Sequence, residues 1–194
     1  MIPLGSFLEN LCLSGGAAGA DVQWGMVAGR AGHSVRHFTF KGHKSTAPVE
    51  EIVVLTQEQL AVADIHLYMA NKTMKRKWPI ANQFVSNLLR RNYYQVAWSD
   101  SVYAVASIED SMVTGGTCWA VQMFLDRFGF DPASAYVFDQ LTDRWMTWSG
   151  TGWIESPDVP VPTGVWAGIG SRDLKDNGKL AIRNLLGYVK PDFV

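Results

Sequence analysis

The sequence predicts an α/β layered domain built on a mostly parallel sheet, and three observations predict it. Short apolar or β-branched runs alternate with helix-like runs along the 194 residues, the pattern of strand–helix–strand crossovers. Three glycine-rich turns each follow a strand-like run and open a helix-like one. They are Ser14-Gly15-Gly16-Ala17-Ala18-Gly19-Ala20-Asp21, Thr114-Gly115-Gly116-Thr117 and Gly168-Ile169-Gly170-Ser171-Arg172. The run at 102–108 is apolar almost without interruption, as suits a central parallel strand covered on both faces. With no tandem repeat, low-complexity tract or shift in composition, one domain over residues 1–194 is expected.

Residues 9–14, behind Phe7 and Leu8, read as a buried strand that ends in glycines. From Asp21 the pattern turns helical, with Val22, Met26 and Val27 on one side and Gly32 closing it. Residues 35–40 form the next strand and complete a βαβ unit; 41–51, with Gly42 and Pro48, form a loop. Helices follow at 57–71, carrying Leu60, Ile65, Leu67 and Met69, and at 80–91, where Ile80, Phe84, Val85, Leu88 and Leu89 fall at helical spacing. Between them lie Lys72, Lys75, Arg76 and Lys77, then Trp78-Pro79. After the 102–108 strand and the second glycine turn comes a helix at 119–128, aligned on Val121, Phe124, Leu125 and Phe128. A strand at 135–138 leads to an antiparallel hairpin at 144–154, rich in tryptophan, around Ser-Gly-Thr-Gly. An extended connector at 159–162, a strand at 165–169 and a helix at 177–189 close the chain.

A formal net charge of −1 gives no general attraction to nucleic acid or membranes. No apolar run approaches the roughly 20 residues of a membrane span, and the N-terminal stretch lacks a leader pattern, so a cytoplasmic location is expected. Cys12 and Cys118 read as reduced packing residues. His33, His37, His43 and His66 show no zinc spacing, and no Walker-type loop is present; no metal and no cofactor are expected. A basic face for DNA would rest on residues 72–77 and on Arg90 and Arg91 alone. The tryptophan hairpin suggests an apolar surface that a homo-oligomer would cover.

Glycine lets a backbone approach an anion closely, and the helix start behind it offers unpaired N–H groups at the positive end of a dipole. Three such turns at one sheet edge make a cradle for the phosphates or ribose of a nucleotide-like molecule. Together the three turns resemble the SLOG superfamily of Rossmann-like proteins, over about residues 9–185. That superfamily holds the DprA-type DNA-processing proteins, the putative molybdenum-cofactor carriers and the LOG (lysine decarboxylase-like) phosphoribohydrolases. The resemblance implies a Rossmann-like three-layer fold with a nucleotide-derived ligand, such as an ADP-ribose-like molecule or a cyclic nucleotide, at the C-terminal strand ends. It also implies ligand-binding roles for Gly15, Gly16, Gly19, Asp21, Gly115, Gly116, Thr117, Ser171 and Arg172. Within these roles the glycines and Thr117 donate hydrogen bonds to phosphate, and Arg172 pairs with it bidentately. Asp21 either accepts from a ribose hydroxyl or matches the charge of its helix start. Trp119 and Trp166, beside the second and third turns, are candidates for base stacking.

The LOG enzymes carry Pro-Gly-Gly-x-Gly-Thr-x-x-Glu, with the Glu acting in catalysis. Aligning Gly115-Gly116 with the paired glycines puts Cys118-Trp119 where Gly-Thr should be and Gln122 where the Glu should be. An amide neither takes nor gives a proton, and it stabilises no oxocarbenium-like centre. Asp100, Glu109, Asp110 and Asp139 are the carboxylates that remain near the strand ends. The expectation is therefore a binder of a nucleotide-derived small molecule: a sensor, carrier or sequestering protein, a viral sponge for a host immune signal being one form. The alternative is a nucleotide N-glycosidase, and the third reading is a DNA-binding module.

Overall fold

A computed structural model describes residues 10–129 and 131–187. Residues 7–9, at the start of the first expected strand, and 188–189, at the end of the closing helix, lie outside the described residues. In chain order the strands are β1 (Leu11–Ser14), β2 (Ser34–Phe40), β3 (Ile52–Leu55), β4 (Ser101–Ala106), β5 (Ile108–Glu109), β6 (Met112–Val113), β7 (Ala133–Asp139), β8 (Arg144–Trp148), β9 (Trp153–Glu155) and β10 (Val165–Gly170). The helices are α1 (Ala20–Arg30), α2 (Gln57–Val62), α3 (Asp64–Met74), α4 (Gln83–Val96), α5 (Thr117–Leu125) and α6 (Asp176–Leu185).

Eight strands form one sheet in the order β3-β2-β1-β10-β4-β7-β8-β9. The pairs from β3 to β7 are parallel, and β8 and β9 extend that edge as the expected antiparallel hairpin. Helices α1 and α6 pack on one face and α4 and α5 on the other, so the architecture is the predicted three-layer, Rossmann-like α/β fold. β10, the last strand in the chain, enters the sheet between β1 and β4. The three strands that precede the glycine turns are therefore immediate neighbours at the centre of the sheet.

Burial explains the strand sequences. In β4 alternate residues face opposite cores: Tyr103 and Val105 meet α1 and α6, while Val102, Ala104 and Ala106 meet α5. Beneath α1, Trp24 and Trp166 pack edge-on with ring centres 5.6 Å apart, both fully buried. Gly168 makes that packing possible, since a Cβ there would lie 2.8 Å from Trp24. In the hairpin, Trp148 and Trp153 pack against the α5 core and Trp145 against Phe138. Its tryptophans thus cover the protein's own sheet; Ile154 is the large apolar side chain on β9 that stays exposed.

The elements differ from the sequence reading at several places. The β-branched run Ile52–Leu55 is an edge strand, paired to β2. The expected 57–71 helix starts with a Thr56–Gln59 capping box and divides at Ala63 into α2 and α3. A two-stranded hairpin, β5–β6, separates β4 from the second glycine turn. α4 is set by its N-cap, Asn82, whose side chain accepts from the Val85 N–H at 3.1 Å, and it runs on to Val96, five residues past the expected end at Arg91. No helix among the described residues is long and apolar enough to cross a membrane.

Candidate functional site

The three glycine turns meet. At the C-terminal edge of the parallel strands they line a single cleft of about 440 Å³. The first turn contributes Ala17, Ala18 and Asp21, the second Thr114–Thr117, and the third Ile169–Asp173. The fourth wall is α4, with Val85, Leu88, Leu89, Arg91, Asn92 and Gln95. This is the crevice expected at the carboxyl ends of parallel strands, where successive helices leave on opposite faces of the sheet.

One wall is apolar and the other is backbone. Val85, Leu88, Leu89, Ala120 and Ile169 supply the apolar surface. The start of α5 also lines the cleft, and its first N–H groups have no intrahelical acceptor, whereas at the start of α1 Ala20 N and Val22 N already donate to the Ser171 and Ala17 carbonyls. The α5 start carries no acidic residue in its first turn, so its positive end is uncompensated. The carbonyls of the second turn are tied back by protein donors. The Gly115 oxygen accepts from Arg76 Nη1 at 3.0 Å and from the Cys118 thiol at 3.1 Å. The Gly116 oxygen accepts from the Asn92 side chain at 3.2 Å. Such an end suits an oxyanion.

The floor is an ion pair. Arg91 Nη1 donates to Asp21 Oδ2 at 3.0 Å, and both residues are only 5% exposed. With its amide oxygen turned to the donors, Gln95 accepts from Gly15 N at 2.6 Å and from Arg91 Nη1 at 2.8 Å, and donates to Asn92 at 3.3 Å. Arg91 Nε, also buried, has no acceptor among the described residues. Arg91 lines the cleft, but this Nε is itself covered rather than open to it. The third turn is fixed to the first by Ala20 N, which donates to the Ser171 carbonyl at 3.0 Å. Arg172, exposed, stands at the rim.

Several predicted site residues serve other ends. Gly15, Gly16 and Gly19 do not line the cleft: a Cβ on Gly15 would overlap the Arg91 guanidinium, and one on Gly16 would lie 2.6 Å from Ser45 Oγ. Gly19, at φ 97°, admits the Ser171 and Arg172 carbonyls. Asp21 lines the cleft, but its carboxylate is committed to Arg91 rather than offered to a ribose. Trp119 is not a stacking platform: α5 opens at Thr117, so Thr117 and Ala120 face the cleft while Trp119 turns into the core against Trp78, 5.9 Å between ring centres. Trp166 is likewise fully buried, its Nε1–H donating to His33 Nδ1 at 3.2 Å. Ser171 Oγ accepts from the Asp173 N–H at 3.0 Å and holds its own turn. Gly115, Gly116, Thr117, Ser171 and Arg172 do line the cleft.

Neither Gln122 nor the carboxylates singled out near the strand ends line this cleft. Gln122 lies outside the cleft, donating to Asp126 Oδ1 at 2.7 Å. Asp139 is buried as a clamp on Ile108 N, Leu141 N and Thr142 Oγ1. Asp100 bonds Val165 at the opposite sheet edge, and Glu109, at the end of β5, and Asp110, in the turn to β6, are both exposed. Burial pushes the Cys118 thiol up to about 11, which makes it a packing group rather than a nucleophile. Burial, with Arg91 and Arg172 nearby, brings His43 down to about 4, while Phe40 stacks on its ring. His33, His37 and His66 are also lowered by burial, and no metal-holding cluster occurs among the described residues.

The residues that sequence reasoning missed are on α4. Arg90 and Arg91 were candidates for a DNA-binding face; Arg90 instead forks onto Asp64 at 2.6 and 2.9 Å, and Arg91 builds the cleft floor. A usable signal existed, because Leu88, Arg91, Asn92 and Gln95 fall at i, i+3, i+4 and i+7 and share one helix face. Comparison with family models, with curated proteins and with solved structures finds no match to this chain.

Proposed function

We propose that this chain binds a phosphorylated, nucleotide-derived small molecule in the central cleft and holds it without turning it over. The observation that carries this reading is the convergence of all three glycine turns on one cleft. Its volume lies within the roughly 300–1,000 Å³ of small-molecule sites, and its two walls differ in the way the two ends of a nucleotide differ. The phosphate belongs at the α5 start, near Thr117 and Arg172. The base belongs against Val85, Leu88 and Leu89.

A SLOG-type carrier, sensor or sequestering protein needs this and no more. Hydrolysis of an N-glycosidic bond needs a carboxylate free to act at the sugar. Of the cleft carboxylates, Asp21 is held by Arg91 and Asp173 is an exposed rim residue.

The test is mass balance. The purified protein is incubated with nucleotides, ADP-ribose derivatives and cyclic dinucleotides, removed by filtration, and both fractions are assayed by mass spectrometry. A compound lost from the filtrate and released intact on denaturation is the expected outcome. Release of a free base or another fragment would make the protein an enzyme. Full recovery of every compound in the filtrate would count against the site itself.

A further inference from the structure

We propose that Arg76, on the loop between α3 and α4, is a positioning residue of the cleft: with Asn92 it holds the peptide planes of the second glycine turn so that their N–H groups face the phosphate. This rests on the reading of the cleft as a phosphate-binding site and adds what presets it. The turn needs presetting. Gly115 has a left-handed φ of 69°, and Gly116 is right-handed at φ −75° and ψ −22°. Successive residues of opposite hand turn their N–H groups toward one concavity, which suits an anion. Yet both are glycine, nothing lies within 4 Å of either Cβ position, and glycine takes the mirror conformation at no steric cost. Packing alone does not keep these peptides from turning over. A flipped peptide would present a carbonyl oxygen to the phosphate.

Hydrogen bonds to the carbonyls hold them instead. A trans peptide is planar with its C=O and N–H pointing in opposite directions, so tying the carbonyl on one side fixes the N–H on the other. The Gly115 carbonyl, whose peptide carries the Gly116 N–H, accepts from Arg76 Nη1 at 3.0 Å. The Gly116 carbonyl, whose peptide carries the Thr117 N–H, accepts from the Asn92 side chain at 3.2 Å. The Cys118 thiol also reaches the Gly115 oxygen, at 3.1 Å, but a thiol is a weak donor and leaves Arg76 as the principal tie. On the other side, neither the Gly116 nor the Thr117 N–H has an acceptor among the described residues. The Thr117 side chain is only 8% exposed and lines the cleft, and its hydroxyl has no partner among them either. A nearly buried hydroxyl left without a partner beside two unused N–H groups calls for a ligand oxygen.

Arg76 has little else to do. It is exposed, forms no ion pair among the described residues, and bonds the Gly115 carbonyl alone among them. The loop that carries it is anchored independently. Lys75, left-handed at φ 51°, ends α3 by donating to the Asn71 carbonyl at 2.8 Å. Trp78 packs against Trp119 and under the Arg90 guanidinium. Removing the Arg76 side chain therefore leaves the loop, both helices and the apolar wall in place. What it takes away is the support that orients the donors of the site.

Amide NMR of the isotope-labelled protein, titrated with inorganic phosphate and then with any nucleotide retained in the mass-balance experiment, tests this. In the wild type the amide signals of Gly116 and Thr117 are expected to shift on adding phosphate. In Arg76→Ala the same two signals are expected to differ already without ligand, with an unchanged circular dichroism spectrum. Its phosphate affinity should fall about tenfold, as loss of one charge-assisted hydrogen bond would produce. Arg76→Lys keeps a donor for the carbonyl and is expected to regain most of that loss. The ratio of wild-type to Arg76→Ala affinity should be the same at low and high ionic strength, whereas a distant charge would be screened. Equal affinity in the two proteins overturns the proposal. So does a ratio that vanishes in salt, or Arg76→Lys no better than Arg76→Ala. Phosphate shifts at the turn in a protein that retains no nucleotide would end the nucleotide reading and leave this one standing. Turn amides that answer to neither phosphate nor a retained nucleotide would overturn this one, whatever the mass balance shows.

Discussion

The first and second glycine turns have the same position in the fold and opposite contents. Each leads to a helix start at the C-terminal sheet edge, and each carries paired glycines. Over Gly15 the space is filled by Arg91, reaching in from α4, and the Gly15 N–H is taken by Gln95. Over Gly115 and Gly116 nothing lies within 4 Å of where a Cβ would stand. A glycine-rich turn thus has two uses. In the first, the missing side chain makes room for the protein's own guanidinium; in the second, it leaves room for something else.

The largest expected effect comes from breaking the filled turn. In Gly15→Ala the new methyl displaces Arg91 and leaves Asp21, only 5% exposed, without its cation. Separating one partner of a buried pair typically costs about 3–5 kcal/mol. Urea unfolding is expected to show a loss of that order, a large share of the stability of an ordinary domain. A midpoint equal to that of the wild type would mean that the turn is not packed in this way.

The open turn is expected to respond in the opposite manner. Gly116 sits at φ −75°, which alanine adopts freely, and caps α5, where exchanging glycine for alanine changes stability by about 1 kcal/mol at most. Gly116→Ala is therefore expected to fold almost as well as the wild type. Its methyl would occupy the space assigned to the phosphate, and affinity for the nucleotide retained in the mass-balance experiment should fall about tenfold or more, as loss of a charge-assisted hydrogen bond would produce. Unchanged affinity by calorimetry would move the phosphate away from the α5 start.

The contrast also shows what the sequence could and could not disclose. The alternation of elements, the covered central strand and the edge hairpin are local patterns, and each was legible from a few neighbouring residues. The convergence of the turns followed from their matching places after strands. The filling of the first turn did not, because Arg91 lies 70 residues from Asp21 along the chain. Inward-facing polar residues also defeat hydrophobic periodicity: Arg91, Asn92 and Gln95 read as the end of a helix when they are its buried side. β3 was missed because four residues, squeezed between Glu51 and a capping box, leave little pattern to read. Trp119 was misplaced by two positions of helix register, which is enough to turn a side chain from cleft to core.

The smallest effect expected is a difference in titration between the two turns. His37 lies against the first turn and His43 near its Arg91–Asp21 pair, and burial lowers both, His43 to about 4. Unfolded, His43 would titrate near 6.5. Above that value it is neutral in both states and the fold loses nothing. As pH falls from about 6.5 toward 4, the unfolded chain takes up the proton first, so stability is lost across that window. Glu51, raised by burial, works in the opposite sense and softens the loss. Because His43 is half-buried, its share is on the order of 1 kcal/mol once solvent screening is allowed for. The second turn holds only the Cys118 thiol, which does not titrate in this range. Urea midpoints at about pH 7.5 and about pH 5 should therefore lie closer together in His43→Gln than in the wild type. Equal spacing in the two proteins would place the acid sensitivity elsewhere, with His37, buried behind Gly16 and Gly25, the next group to replace.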